Sequence, residues 1–223
     1  MLTTLYLLFN EGYFYASKNI KLNQELCFEA MRLVKLLLDN NSTNLPNVNA
    51  LLSLMCFHAS RFEARMGEEV ILYKNQNSDL WNKELIEKGV FYLIKSSEGK
   101  NISKYHLESR IAYWHTQQKD SKIKWESILQ LYNQLLQINY SPVIALNRTF
   151  ALAKARGNKI AILEAEKLSA NSKLKNNPFY FMLLANLHEE NNKEKSKLFL
   201  KKALKFAKTD SDKEFISKKL NAI

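Results

Sequence analysis

Glycine and proline are scarce here, with five and three among 223 residues. A β-sandwich needs frequent turn residues and a disordered linker is rich in both, so neither class fits. Helices tolerate such sparse punctuation. Cysteine is scarcer still. Cys27 and Cys56 sit within apolar helical patterns and form no CxxC, so both are expected to be reduced core residues in a reducing compartment. Long apolar runs are missing too: none approaches the roughly 20 residues of a membrane span. The opening segment MLTTLYLLFNEGY lacks a basic start and meets Glu11 almost at once, so it does not read as a signal peptide. A soluble, cytoplasmic protein with no membrane partner is expected.

Catalytic spacings are equally absent. The sequence holds no GxGxxG, GxxxxGK[ST], GxSxG or HExxH, and its scattered glycines build no phosphate-cradling loop. His58, His106, His115 and His188 have no partner His at ligand spacing, and no Glu precedes any of them by three. Cys27 with Glu29, and Cys56 with His58, are two apart and point to different helix faces. The expectation is a protein that is not an enzyme, with no catalytic residues, no metal and no cofactor.

What the chain has in excess is positive charge. The net charge is +11, and the excess grows toward the C-terminus. Residues 1–65 carry 6 basic and 5 acidic groups, residues 66–157 carry 13 and 9, and residues 158–223 carry 14 and 8. The last stretch uses only Lys. Sequence-reading nucleic-acid surfaces usually need Arg forks, so this face reads first as solvated, with nonspecific polyanion contact as the rival reading.

Apolar residues recur at helical spacing nearly throughout. Leu2, Leu5, Leu8 and Phe9 form a stripe predicted to stop at Gly12 in a left-handed C-cap. Asn23 is placed to cap a helix running to about Asp39, with Leu26, Ala30, Leu33 and Leu37 inward. Pro46 suits the first turn of a helix reaching Arg65. Residues 67–80 are the least helical, with a short extended piece expected at Val70, Leu72 and Tyr73. Trp81 to Lys95 and Ser103 to His115 resume the helical period.

The last hundred residues repeat. Helices are predicted from Trp125 to Ile138, from Pro142 to Arg156, from Lys159 to Ala170, from Pro178 to about Asn191, from Glu194 to Lys208 and from Asp210 to Ala222. Pro142 and Pro178 are 36 apart, and Gly157 and Asn192 are 35 apart, near the 34-residue tetratricopeptide (TPR) period. Small residues such as Ala145, Ala151, Ala185 and Ala203 fall where paired helices approach. The predicted class is all-α, with stacked antiparallel hairpins and TPR-like repeats in the C-terminal half. Residues 1–116 form an N-terminal helical region and residues 117–223 a repeat region packed against it.

Several segments resemble one known group. Leu7-Leu8-Phe9-Asn10-Glu11-Gly12-Tyr13, with Ala16-Ser17, looks like a segment following the DNA-binding part of certain bacterial ECF-type RNA polymerase sigma factors, which carry a long TPR-like C-terminal extension. Glu29 to Leu33, Leu51 to Arg61, Leu80-Trp81 and Trp125 match in order, and Ser141 to Arg148 (SPVIALNR) resembles that group's SPVVALNRA string. Where the group reads QDRSLW, this chain has Gln76-Asn77-Ser78-Asp79-Leu80-Trp81. The resemblance implies a regulatory, protein-interaction domain whose partners are sigma-factor core domains or RNA polymerase. Promoter DNA would be reached only through N-terminal domains that residues 1–223 do not supply. The chain then reads as a fragment of a longer sigma factor or a free-standing remnant; the alternative is a TPR-type scaffold unrelated to transcription.

Partner-binding candidates are Asn10, Glu11, Tyr13, Arg61, Arg65, Trp81, Asn147 and Arg148. Arg61 and Arg65, four apart after His58, suit an acidic segment or a phosphate; the plainer reading pairs them with Glu63, Glu68 or Glu69. Trp81, Trp114 and Trp125 suit either an aromatic groove or helix seams.

Overall fold

A computed structural model describes residues 1–14, 23–65 and 76–223. The extended piece at Val70 to Tyr73, the Ala16-Ser17 match and any pairing to Glu68 or Glu69 lie outside the described residues. Among those described, the fold is all-helical with no strand, and no helix is long and apolar enough to cross a membrane. The chain divides into two units, Met1–Lys119 and Asp120–Ile223.

Unit 1 contains α1 (Leu2–Phe14), α2 (Gln24–Leu38), α3 (Pro46–Ala59), the short α4 (Phe62–Arg65), a 3₁₀ turn (Ser78–Leu80), α5 (Lys83–Ser96) and α6 (Lys104–Thr116). Helix α3 is its centre. Every residue from Val48 to Phe57 is buried, because α1, α2, α5 and α6 cover it on different sides. A helix apolar nearly all round has to be interior. Its one buried hydroxyl is satisfied: Ser53 Oγ donates to Gly89 O at 2.7 Å and accepts from Ser109 Oγ at 2.7 Å, tying α5 and α6 to α3. Gly89 has no side chain because a Cβ there would lie 2.6 Å from the Phe57 ring.

Three sequence expectations need correcting. Gly12 is not a C-cap: α1 runs through it to Phe14. The glycine serves close approach, since a Cβ would lie 2.7 Å from Asn23 O and 2.8 Å from Cys27 Sγ. Asn23 N donates to Gly12 O at 3.1 Å and Cys27 Sγ to Phe9 O at 3.4 Å across the same contact. In α2 the innermost face is Cys27, Ala30 and Val34, which keeps Ala30 of the predicted stripe but has Cys27 and Val34 in place of Leu26 and Leu33. The helix opened by Pro46 ends at Ala59, and the chain bends at Ser60–Arg61 before α4. The predicted caps stand at Asn23, accepting from Leu26 N at 3.0 Å, and at Pro46 in the first turn.

Unit 2 comprises α7 (Lys122–Ile138), α8 (Pro142–Arg156), α9 (Asn158–Leu168), α10 (Pro178–His188), α11 (Lys193–Phe206) and α12 (Asp210–Asn221). Successive helices pack pairwise, and α8 also touches α10, as in a helical-repeat superhelix. Pro142 and Pro178 open equivalent helices. Ala145, Ala151, Ala161, Ala165, Ala185 and Ala203 are buried at the seams, where small side chains let backbones close up. Gly157, at φ +96°, joins α8 to α9.

Candidate functional site

Helix α1 carries Tyr6, Asn10 and Tyr13 at spacings of four and three, which places them along one face. At one end of this seam, Tyr6 packs edge-on against Tyr105 of α6 at 5.6 Å, near the Glu108 carboxyl of the same helix. Burial raises the Tyr6 pKa above the ordinary tyrosine range, and Glu108 adds to it. Burial likewise raises the Glu108 carboxyl, with Lys104 and Tyr6 pulling the other way. Asn10 pulls the Tyr6 pKa the other way, and its Oδ1 is buried without a donor.

At the other end Tyr13 meets the tip of α3. Its ring lies 4.9 Å from His58, 5.6 Å from Phe9 and 6.0 Å from Phe62. Arg65 Cζ sits 3.9 Å above the same ring, a cation–π contact worth about 0.5–2 kcal/mol. The bend at Ser60 sets this up. Ser60 Oγ donates to Phe57 O at 2.8 Å, and Ser60 O accepts from Asn82 N at 2.8 Å, so the chain leaves α3 there. Arg61 then turns back until Nη2 lies 3.5 Å from His58 Nδ1. A guanidinium only donates, so Nδ1 accepts and His58 is neutral. Its pKa is driven well below the usual value by burial first, then by Arg61, Arg65 and His115.

The seam therefore gathers Tyr13, Arg61 and Arg65 of the predicted candidates, with Asn10 beside them on α1. Glu11 is exposed on α1. Trp81 is buried at the end of the 3₁₀ turn, which touches α4. Glu63 takes Gln24 at 3.5 Å. Tyr6, Glu108 and His115 were not singled out as members, because α6 supplies two of them from about a hundred residues away. The only signal was the Tyr6–Asn10–Tyr13 spacing.

In unit 2 the two candidates separate. Asn147 is exposed on α8. Arg148 is a clasp: Nε donates to Asn133 Oδ1 of α7 at 2.8 Å and Nη1 to Glu164 Oε2 of α9 at 3.1 Å. Glu164 also holds Lys167 at 2.6 Å, and Lys167, then Arg148, keep its carboxyl below the ordinary range. Trp125 is buried against Phe150, edge-on at 5.6 Å, and fills a helix seam.

Chemically, the unit 1 seam offers guanidinium donors and aromatic faces. Its neighbouring thiols are quiescent. Burial pushes Cys27 up to about 11, against Arg65, and Cys56 up to about 12, so neither is a thiolate at neutral pH. Among the described residues no three His, Cys, Asp or Glu side chains are placed to hold a metal ion. Of the seam's two guanidiniums, Arg61 is buried and Arg65 half-buried.

Residues 1–97, which contain most of this seam, match the model of a family of unknown function, DUF6596. No solved structure matches the chain. The chain is similar to the uncharacterized protein R00370 of Rhizobium meliloti (strain 1021), with 31% identity over 169 residues that cover 74% of this chain and 40% of that protein. It thus spans about two fifths of the length of that relative.

Proposed function

We propose that this chain is a non-catalytic regulatory domain of an ECF-type sigma factor, acting by protein–protein contact in transcription initiation. One observation carries the reading. Separate segments with sigma-group resemblance, Leu7 to Tyr13 and Leu51 to Arg61, meet where Tyr13, His58, Arg61 and Arg65 come together. A resemblance confined to packing would favour apolar contacts; here the shared segments supply a cationic, aromatic end of a seam. Such an end suits an acidic stretch on a sigma core domain or on RNA polymerase. The repeat stack of unit 2 supports a binding role, since rigid stacked hairpins present side chains without needing reactive groups.

The test is direct binding. The full chain is immobilised and exposed separately to purified bacterial RNA polymerase core and to isolated sigma-type promoter-recognising domains. Retention of either is expected, with at least about tenfold weaker binding by Arg65→Ala. Retention of neither by the wild-type chain removes the transcription reading and leaves a general TPR-type scaffold.

A further inference from the structure

Unit 2 contains a cleft of about 290 Å³ between α9, α10 and α11, with Phe181, Leu184 and Phe199 among its lining residues. This is at the small end of the volumes that enclose drug-sized ligands, and suits one large side chain. Two lysines line the same cleft. Lys202 Nζ lies 5.9 Å from the Phe181 ring centroid and 5.7 Å from that of Phe199, held over aromatic surface. Lys175 lines the cleft from the segment before α10. Among the described residues neither pairs with a carboxylate, and Glu166 is the single acidic group in the lining.

We propose that this cleft docks an acidic peptide segment, one large apolar side chain of which enters between Phe181 and Phe199 while flanking carboxylates meet Lys175 and Lys202. Charge complementarity supports the occupant. Unit 2 holds 19 basic and 10 acidic residues, so +9 of the chain's +11 lies here. A nucleic acid would share the charge but needs open ring faces for its bases to stack on. These rings are already engaged: Phe181 stacks on Phe206 at 5.6 Å, Phe199 on His188 at 5.7 Å, and Lys202 lies over both phenylalanines. Stacking occupies one face of each ring, and the cleft between Phe181, Leu184 and Phe199 is apolar, which favours a Leu or Phe side chain. The inference is independent of the sigma reading, since the cleft shares no residue with the unit 1 seam.

The experiment is a fluorescence-anisotropy titration of the full chain with a labelled heptapeptide, Glu-Asp-Glu-Phe-Leu-Asp-Glu. The same peptide with Ala-Ala at its centre and an oligothymidylate of equal charge run in parallel. Saturable binding with a Kd of about 10–100 µM is expected. The alanine peptide binds at least about tenfold more weakly, as does the K175E/K202E variant, whose substitutions are at exposed positions and leave the helical circular-dichroism signal unchanged. No saturation by about 1 mM overturns the proposal. So does equal binding of the alanine peptide, indifference to the charge reversal, or oligothymidylate binding as tightly as the heptapeptide.

Discussion

Units 1 and 2 solve the same problem, burying helices, by different means. Unit 1 wraps several helices around α3 and takes polar groups inside with it: the Ser53–Ser109 relay, neutral His58, and the Tyr6–Glu108 pair. Its charge is nearly balanced, 14 basic against 12 acidic. Unit 2 repeats a hairpin and fastens neighbours by ion pairs near the surface: Arg148 to Glu164, Arg156 to Glu126, and Lys219 to Glu189. Buried polar groups are costly to disturb, whereas exposed ion pairs are each worth little. A central-helix unit concentrates its stability in a few residues, and a repeat spreads it over many joints.

The largest expected effect tests that concentration. Phe57→Ala empties the fully buried site against Gly89 and is expected to cost about 3–5 kcal/mol. Hydrogen exchange read by mass spectrometry then loses protection in α3 and α5 while α10 and α11 keep theirs; equal loss in all four would break the comparison. Smaller is Arg148→Ala, which removes hydrogen bonds to two neighbouring helices and is expected to cost about 1–2 kcal/mol in urea unfolding. Arg148→Lys should recover only part, because an ammonium cannot reproduce the fork.

The smallest effect is in pH, and its sign should differ between the units. Glu108 has a folded-state pKa above its ordinary 4.5, so its contribution is full below that value and is lost as pH rises through the folded pKa. Glu126, held to about 2 by Arg156 and then Gln130, contributes above 4.5 and loses that contribution as pH falls toward 2. Thermal unfolding of E108Q and E126Q against wild type across this range checks both. E108Q should gain over wild type as pH rises, and E126Q should lose its deficit as pH falls. Curves of the same sign would remove the contrast.

Local signals were legible in the sequence. Asn23, Pro46, Pro142 and Pro178 sit where caps and first turns form, because capping is decided within four residues. The repeat was legible for the same reason. Signals set by distant partners were not. Gly12 reads as a stop until Asn23 and Cys27 are seen against it. The inward face of α2 shares Ala30 with the predicted one, and only the packing partner decides between Leu26 and Cys27. For Arg148 the sequence left a ligand contact and hydrogen bonds to its neighbours equally open, because its acceptors are 15 and 16 residues away on other helices. Tyr6 meets Tyr105 and Glu108 across some hundred residues, which no window along the chain reveals.

Gly157 separates two properties that glycine usually supplies together. Its backbone, at φ +96° and ψ 160°, lies near the mirror image of the extended region, yet a Cβ there would meet nothing within 4 Å. Size is therefore irrelevant at this joint and handedness is everything. An L side chain at Gly157 has room but not the backbone conformation, so the turn from α8 into α9 selects glycine by φ and not by volume.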